Sequence, residues 1–89
     1  MATMTKQATM TWASAEDQKN PGINAARETY IANAVAAGTT DGVPVIVSDV
    51  ITIRYWLDQT AADDWYAFIV QTSVDNNVTP PTVVIADIT

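Results

Sequence analysis

The sequence predicts an α+β domain, a β-α-β-α-β chain with a three- or four-stranded sheet and two helices packed mainly on one face. Three observations predict it. Residues 50–57 (VITIRYWL) alternate, with Ile51, Ile53, Tyr55 and Leu57 on one side and Val50, Thr52, Arg54 and Trp56 on the other, the period-two pattern of a strand. Directly afterwards Ala61, Trp65, Phe68, Ile69 and Thr72 fall at i, i+4, i+7, i+8 and i+11, one face of a helix. Further upstream Ile23, Ala26, Tyr30, Ile31, Ala34 and Val35 recur at near-helical spacing in an alanine-rich stretch, and alanine favours helix intrinsically.

Taken in order, Met4, Ala8, Met10 and Trp12 alternate with Thr5, Gln7, Thr9 and Thr11. This is a first strand, its apolar side interrupted by Lys6 and its other side rich in threonine, a residue suited to a pleated surface. Ser14 with Asp17 starts a short helical turn, which Asn20-Pro21 stops, because the residue before proline disfavours the α region. Asn20 caps the next helix, Pro21 takes its first position and Gly38 ends it. Residues 39–42 (TTDG) turn the chain. Residues 43–47 (VPVIV) are extended, and Pro44, which cannot donate to a ladder, puts them at an edge or a strand start. Ser48-Asp49 bulges or breaks the strand before Val50. Asp58 or Thr60 caps the second long helix, with Asp63 completing a partial capping box. Residues 74–81 (VDNNVTPP) read as a loop and residues 83–88 as a last strand. The helix around Trp65 is expected to cover the strand around Ile53, since the link between them is short. Met4, Met10, Trp12 and Trp56 are then the candidates for the sheet face left uncovered. The first strand is expected to supply a free pairing edge.

Eighty-nine residues make a single domain, 1–89. Apolar residues are 48% of the chain, a globular value that argues against disorder. There is no cysteine and no histidine, so disulfides, thiolate metal sites, the commonest zinc ligand and the commonest general base are all missing. The net charge of −6 repels phosphate backbones and argues against nucleic-acid binding. No apolar run approaches the ~18 residues of a membrane span, and no basic-then-apolar leader pattern opens the chain. No cofactor or metal is expected.

The polar constellations read structurally. Asp63-Asp64 complements the positive end of a helix dipole; adjacent helical side chains diverge by about 100°, which suits a shared catalytic site poorly. Asp75-Asn76-Asn77 lacks the spacing of a calcium loop and reads as a turn. Asn77-Val78-Thr79 matches the glycosylation triplet but is followed by Pro80, and is read as accidental. Trp65 belongs to the core. Trp12 and Trp56 stand evenly between core and interface. Arg54 either anchors an anion or pairs with one of the chain's many acids. The candidate interface residues are therefore Met4, Met10, Trp12, Arg54 and Trp56.

The segment from Arg54 to Ile69 (RYWLDQTAADDWYAFI) resembles part of small, mostly uncharacterised bacteriophage proteins. In these a strand ends near Arg-x-Trp, and an Asp-Gln-x-x-Ala-x-x-Trp-x-x-Phe helix and a short β-rich tail follow. The resemblance covers about a third of the chain and rests on packing residues. It implies a phage- or virus-associated protein, a virion component, and carries over no catalytic residue. With the missing catalytic residue types and the threonine-rich strands, it leads to a non-enzymatic structural or assembly protein. Its expected partners are copies of itself and other virion proteins, not nucleic acid or membrane. The alternative is a soluble acidic inhibitor or nucleic-acid mimic binding a host protein, which needs carboxylates clustered on one surface. A small enzyme using Asp63 or Asp75 is a third and weaker reading.

Overall fold

A computed structural model describes residues 3–88. The chain runs β1 (Lys6–Thr11), α1 (Ala15–Gln18), α2 (Pro21–Ala37), β2 (Val45–Ile46), β3 (Ile51–Trp56), α3 (Gln59–Asp75) and β4 (Thr82–Asp87). The fold class is the expected α+β. The sheet has four strands in the order β2-β3-β1-β4, every neighbouring pair antiparallel. Two split β-α-β units interlock: β3 lies between β1 and β2, and β1 lies between β3 and β4. This is the connectivity of ferredoxin-like domains.

Each helix begins where a side chain can satisfy its free N–H groups. Ser14 Oγ accepts from Asp17 N at 3.1 Å, and Asn20 Oδ1 from Gly22 N and Ile23 N at 3.0 and 3.1 Å. At α3 the cap is Asp58, whose Oδ1 accepts from Ala61 N at 2.9 Å. Asp63 completes no capping box; it accepts from Gln59 Nε2 instead. Gly38 ends α2 at φ 79°, a left-handed conformation that costs other residues about 1–2 kcal/mol. The last helix runs through Val74 and Asp75, past the expected loop boundary. Asn76 then closes it, donating from Nδ2 to Thr72 O at 2.8 Å, and Asn77 turns the chain at φ 56°. Gly22 permits the start of α2 to approach this corner: a Cβ there would lie 2.0 Å from Asn76 Oδ1.

The core lies between one face of the sheet and the helices. Its sheet side is Ala8, Met10 and Trp12 with Trp56; its helix side is Ile23 and Ala34 of α2 with Ala61, Ala62, Trp65 and Ile69 of α3. An aromatic cluster joins the layers. Trp56 stacks on Trp65 at 5.3 Å between ring centroids, and Tyr30 of α2 stacks on Phe68 of α3 at 4.3 Å. Two expectations are corrected here. The helix around Trp65 packs on the strand around Ile53 as expected, but it covers the Trp56 face of that strand rather than the apolar Ile53 face. Met10, Trp12 and Trp56 are core residues rather than an uncovered surface. Antiparallel register is the cause: Met10 pairs with Thr52 and Ala8 with Arg54, so covering Trp56 buries the apolar side of β1. Covering Ile53 would bury Gln7, Thr9 and Thr11. A third correction concerns the edge. Pairing to β3 and β4 makes β1 central; the edges are β4 and the two-residue β2, which follows Pro44 as expected.

Two outcomes test this packing. Trp65→Ala should cost about 3–5 kcal/mol by urea unfolding, against about 1 kcal/mol or less for Ile53→Ala, because only the first opens a hole in the core. Equal losses would contradict the assignment of faces. The second outcome concerns Tyr30, whose phenol is pushed above the ordinary tyrosine range by burial and then by Asp64. An acid with a raised folded pKa stabilises fully below its unfolded value, about 10, and that contribution is lost as pH rises through the folded value. Unfolding free energy should therefore fall as pH climbs past about 10, and fall less in Tyr30→Phe.

Candidate functional site

Strand alternation creates two surfaces of different chemistry. On the side away from the helices stand Val45 of β2, Ile51, Ile53 and Tyr55 of β3, Gln7, Thr9 and Thr11 of β1, and Thr82, Val84 and Ala86 of β4. The register aligns them in rows, the central one Val45–Ile53–Thr9–Val84. None of the ten is charged, in a chain of net charge −6. Val84 is 59% exposed and Val45 38%, while Ile51, Ile53 and Tyr55 are half-buried among their cross-strand neighbours. Lys6 and Asp87, the strand charges nearest this surface in sequence, point to the helix side and pair with each other.

On the helix side the core is incomplete at one place. A cavity of ≈ 210 Å³ is lined by Ala8 and Met10 of β1, Thr52 and Arg54 of β3, Trp65, Arg27, Gln18, Pro44 and Ile46. The small side chain of Ala8, directly opposite Arg54 in the sheet, leaves room on its floor. Arg27 and Arg54 also line a more open hollow of ≈ 520 Å³ with Asn24, Glu28, Ile31, Ala32 and Gly42. Glu28 is the one carboxylate lining either space.

Two of the chain's four basic residues therefore converge on one cavity. Arg27 is held at its rim: Nη2 donates to Gln18 O at 3.2 Å and to Asn24 Oδ1. The Arg54 guanidinium lies 5.8 Å from the centroid of the Trp65 ring, within cation–π range. Among the described residues neither arginine forms an ion pair; Lys6–Asp87 is the ion pair present. Arg54 Nη1 and Thr52 Oγ1 are buried and have no hydrogen-bond partner there. Burial lowers the pKa of Arg54, the charge of Arg27 lowers it further, and Asp41 partly offsets both; burial also lowers that of Arg27. Both guanidiniums stay charged at neutral pH, so each carries a desolvation cost, which at Arg54 Asp41 offsets only in part.

Of the residues singled out in the sequence, Arg54 occupies this cavity with Met10 beside it. Trp12 and Trp56 are buried in the core, and Met4 is half-buried ahead of β1. Sequence reading missed Arg27 and Thr52; the signal for Thr52 was its place in the alternating strand next to Arg54. Among the described residues no group of three or more acidic, histidine or cysteine side chains is placed to hold a metal ion, and no helix is long and apolar enough to cross a membrane. No protein-family model, curated protein or solved structure matches the chain.

If Asp41 compensates Arg54 only in part, and Arg54 forms no ion pair among the described residues, removing its charge should not weaken the fold. Arg54→Met keeps the stem over the sheet and loses a cation–π contact worth about 0.5–2 kcal/mol, but relieves the desolvation. Its unfolding free energy should stay within about 1 kcal/mol of wild type or rise. A loss above about 3 kcal/mol, the mark of a broken buried pair, would show a compensating partner.

Proposed function

We propose that the protein is a non-enzymatic structural module that assembles with copies of itself, as a component of a phage or virus-like particle alongside other virion proteins. The observation that carries self-assembly is the uncharged open face of the sheet. Eight of its ten residues, all but Gln7 and Ala86, are β-branched or aromatic, the side chains that pack best across paired sheets. A second copy presents the same face, so two chains can approach with no charged side chain at any of these ten positions. The β4 edge, six residues long and exposed at alternate positions, extends that surface with unpaired backbone groups. The resemblance of residues 54–69 to phage proteins supports the particle setting. The acidic-inhibitor reading gains nothing comparable from the geometry.

Size-exclusion chromatography with light scattering at about 100 μM, well above ordinary assembly affinities, should find dimers or larger species. Ile53→Lys with Val84→Lys should yield monomers whose circular dichroism and melting cooperativity are unchanged, because both side chains point away from the core. A wild type that is monomeric at that concentration would overturn the proposal.

A further inference from the structure

The cavity beside Arg54 lies on the opposite side of the sheet from the assembly face, and its chemistry is independent of that reading. It combines cationic and apolar walls. Arg27 and Arg54 supply two guanidiniums, and Met10, Ile46, Pro44 and Trp65 an apolar enclosure. A guanidinium fork matches a planar carboxylate with two parallel hydrogen bonds. An apolar enclosure favours a ligand with an apolar body over a fully hydrated ion, which would leave those walls unpartnered. Size narrows the class. Apolar cavities of about 150 Å³ take up benzene, so ≈ 210 Å³ has room for one ring and a carboxylate, and is too small for a nucleotide. The more open hollow shares both arginines with the cavity and so offers an approach past them.

From this geometry we propose that the Arg27–Arg54 cavity binds a compact organic carboxylate, its carboxylate between the two guanidiniums and its apolar or aromatic body against Met10 and Trp65. Binding would relieve the repulsion between the two arginines. Bound ligand would therefore stabilise the folded chain by linkage.

The test uses the full chain with benzoate, acetate and inorganic phosphate as probes, followed by nuclear magnetic resonance at the arginine Nε–H and tryptophan indole signals. Benzoate is expected to shift the Arg54 and Trp65 signals saturably, with a millimolar dissociation constant in keeping with its few heavy atoms. It should also raise the melting temperature. Acetate, lacking the ring, and phosphate, lacking an apolar body, should bind at least about tenfold more weakly. Arg54→Gln should weaken benzoate by about tenfold or more, the effect of removing a charge-assisted hydrogen bond. Failure of benzoate to saturate by about 50 mM, or unchanged affinity in folded Arg54→Gln, would overturn the site. Acetate or phosphate binding as tightly as benzoate would overturn the ligand class. Should Arg54→Gln not fold, Arg27→Gln replaces it with the same two readings.

Discussion

The pairing of β1 with β3 governs the rest of the molecule. Antiparallel register places Ala8 opposite Arg54 and Met10 opposite Thr52, and side chains of opposed residues share a face. The two strands must therefore be covered or left open together. By itself β3 has a better apolar side at Ile51, Ile53 and Tyr55 than at Thr52, Arg54 and Trp56. Coupled to β1, the balance reverses: one face offers Met10, Trp12 and Trp56, the other three isoleucine- or tyrosine-bearing positions beside Gln7 and two threonines. Three tryptophans gathered in one core, each burying on the order of 150–250 Å², outweigh the smaller residues left outside. A one-residue slip in that pairing would exchange the faces of β1 relative to β3, so the core composition itself guards the register.

This explains which parts of the fold were legible in the sequence. Helix boundaries are local matters, and Asn20, Pro21, Gly38 and Asp58 mark them through their own backbone chemistry. The edge position of β2 followed from Pro44. Strand order and the choice of covered face are not local, because β1 meets β3 and β4 only through pairings that no short window contains. That α3 covers the strand around Ile53 was legible, but the choice of its Ile51–Ile53–Tyr55 side came from weighing one strand alone. The candidate site was half legible. Arg54 stood out on an apolar strand, but Arg27, though placed between Ile23 and Ile31 on the side of α2 that faces the core, joins Arg54 only in three dimensions.

The electrostatic arrangement is lopsided for so acidic a chain. Of four basic residues, Lys6 pairs with Asp87 at the end of the sheet, a surface contact of small energetic value. Arg27 and Arg54 stand together at the cavity, where desolvation acts on both. Meanwhile the open sheet face carries no charge at all. Repulsion among the carboxylates thus falls on the helices and loops, leaving an approach surface on one side of the molecule and a cationic recess on the other.

The central position of β1 bears on how the chain is made. Met10 pairs with Thr52 and with Val83, partners that leave the ribosome 42 and 73 residues later. The strand of this sheet that comes first in the chain is thus among the last to find both neighbours. Until then its methionine–tryptophan side is exposed, and such transiently unpaired strands are where nascent chains associate wrongly. Thr9 and Thr11, together with Lys6, keep the waiting strand hydrated, so its composition serves the nascent chain as well as the finished sheet. Topology of this kind, with distant pairings at the centre, also slows folding relative to helical proteins of equal length.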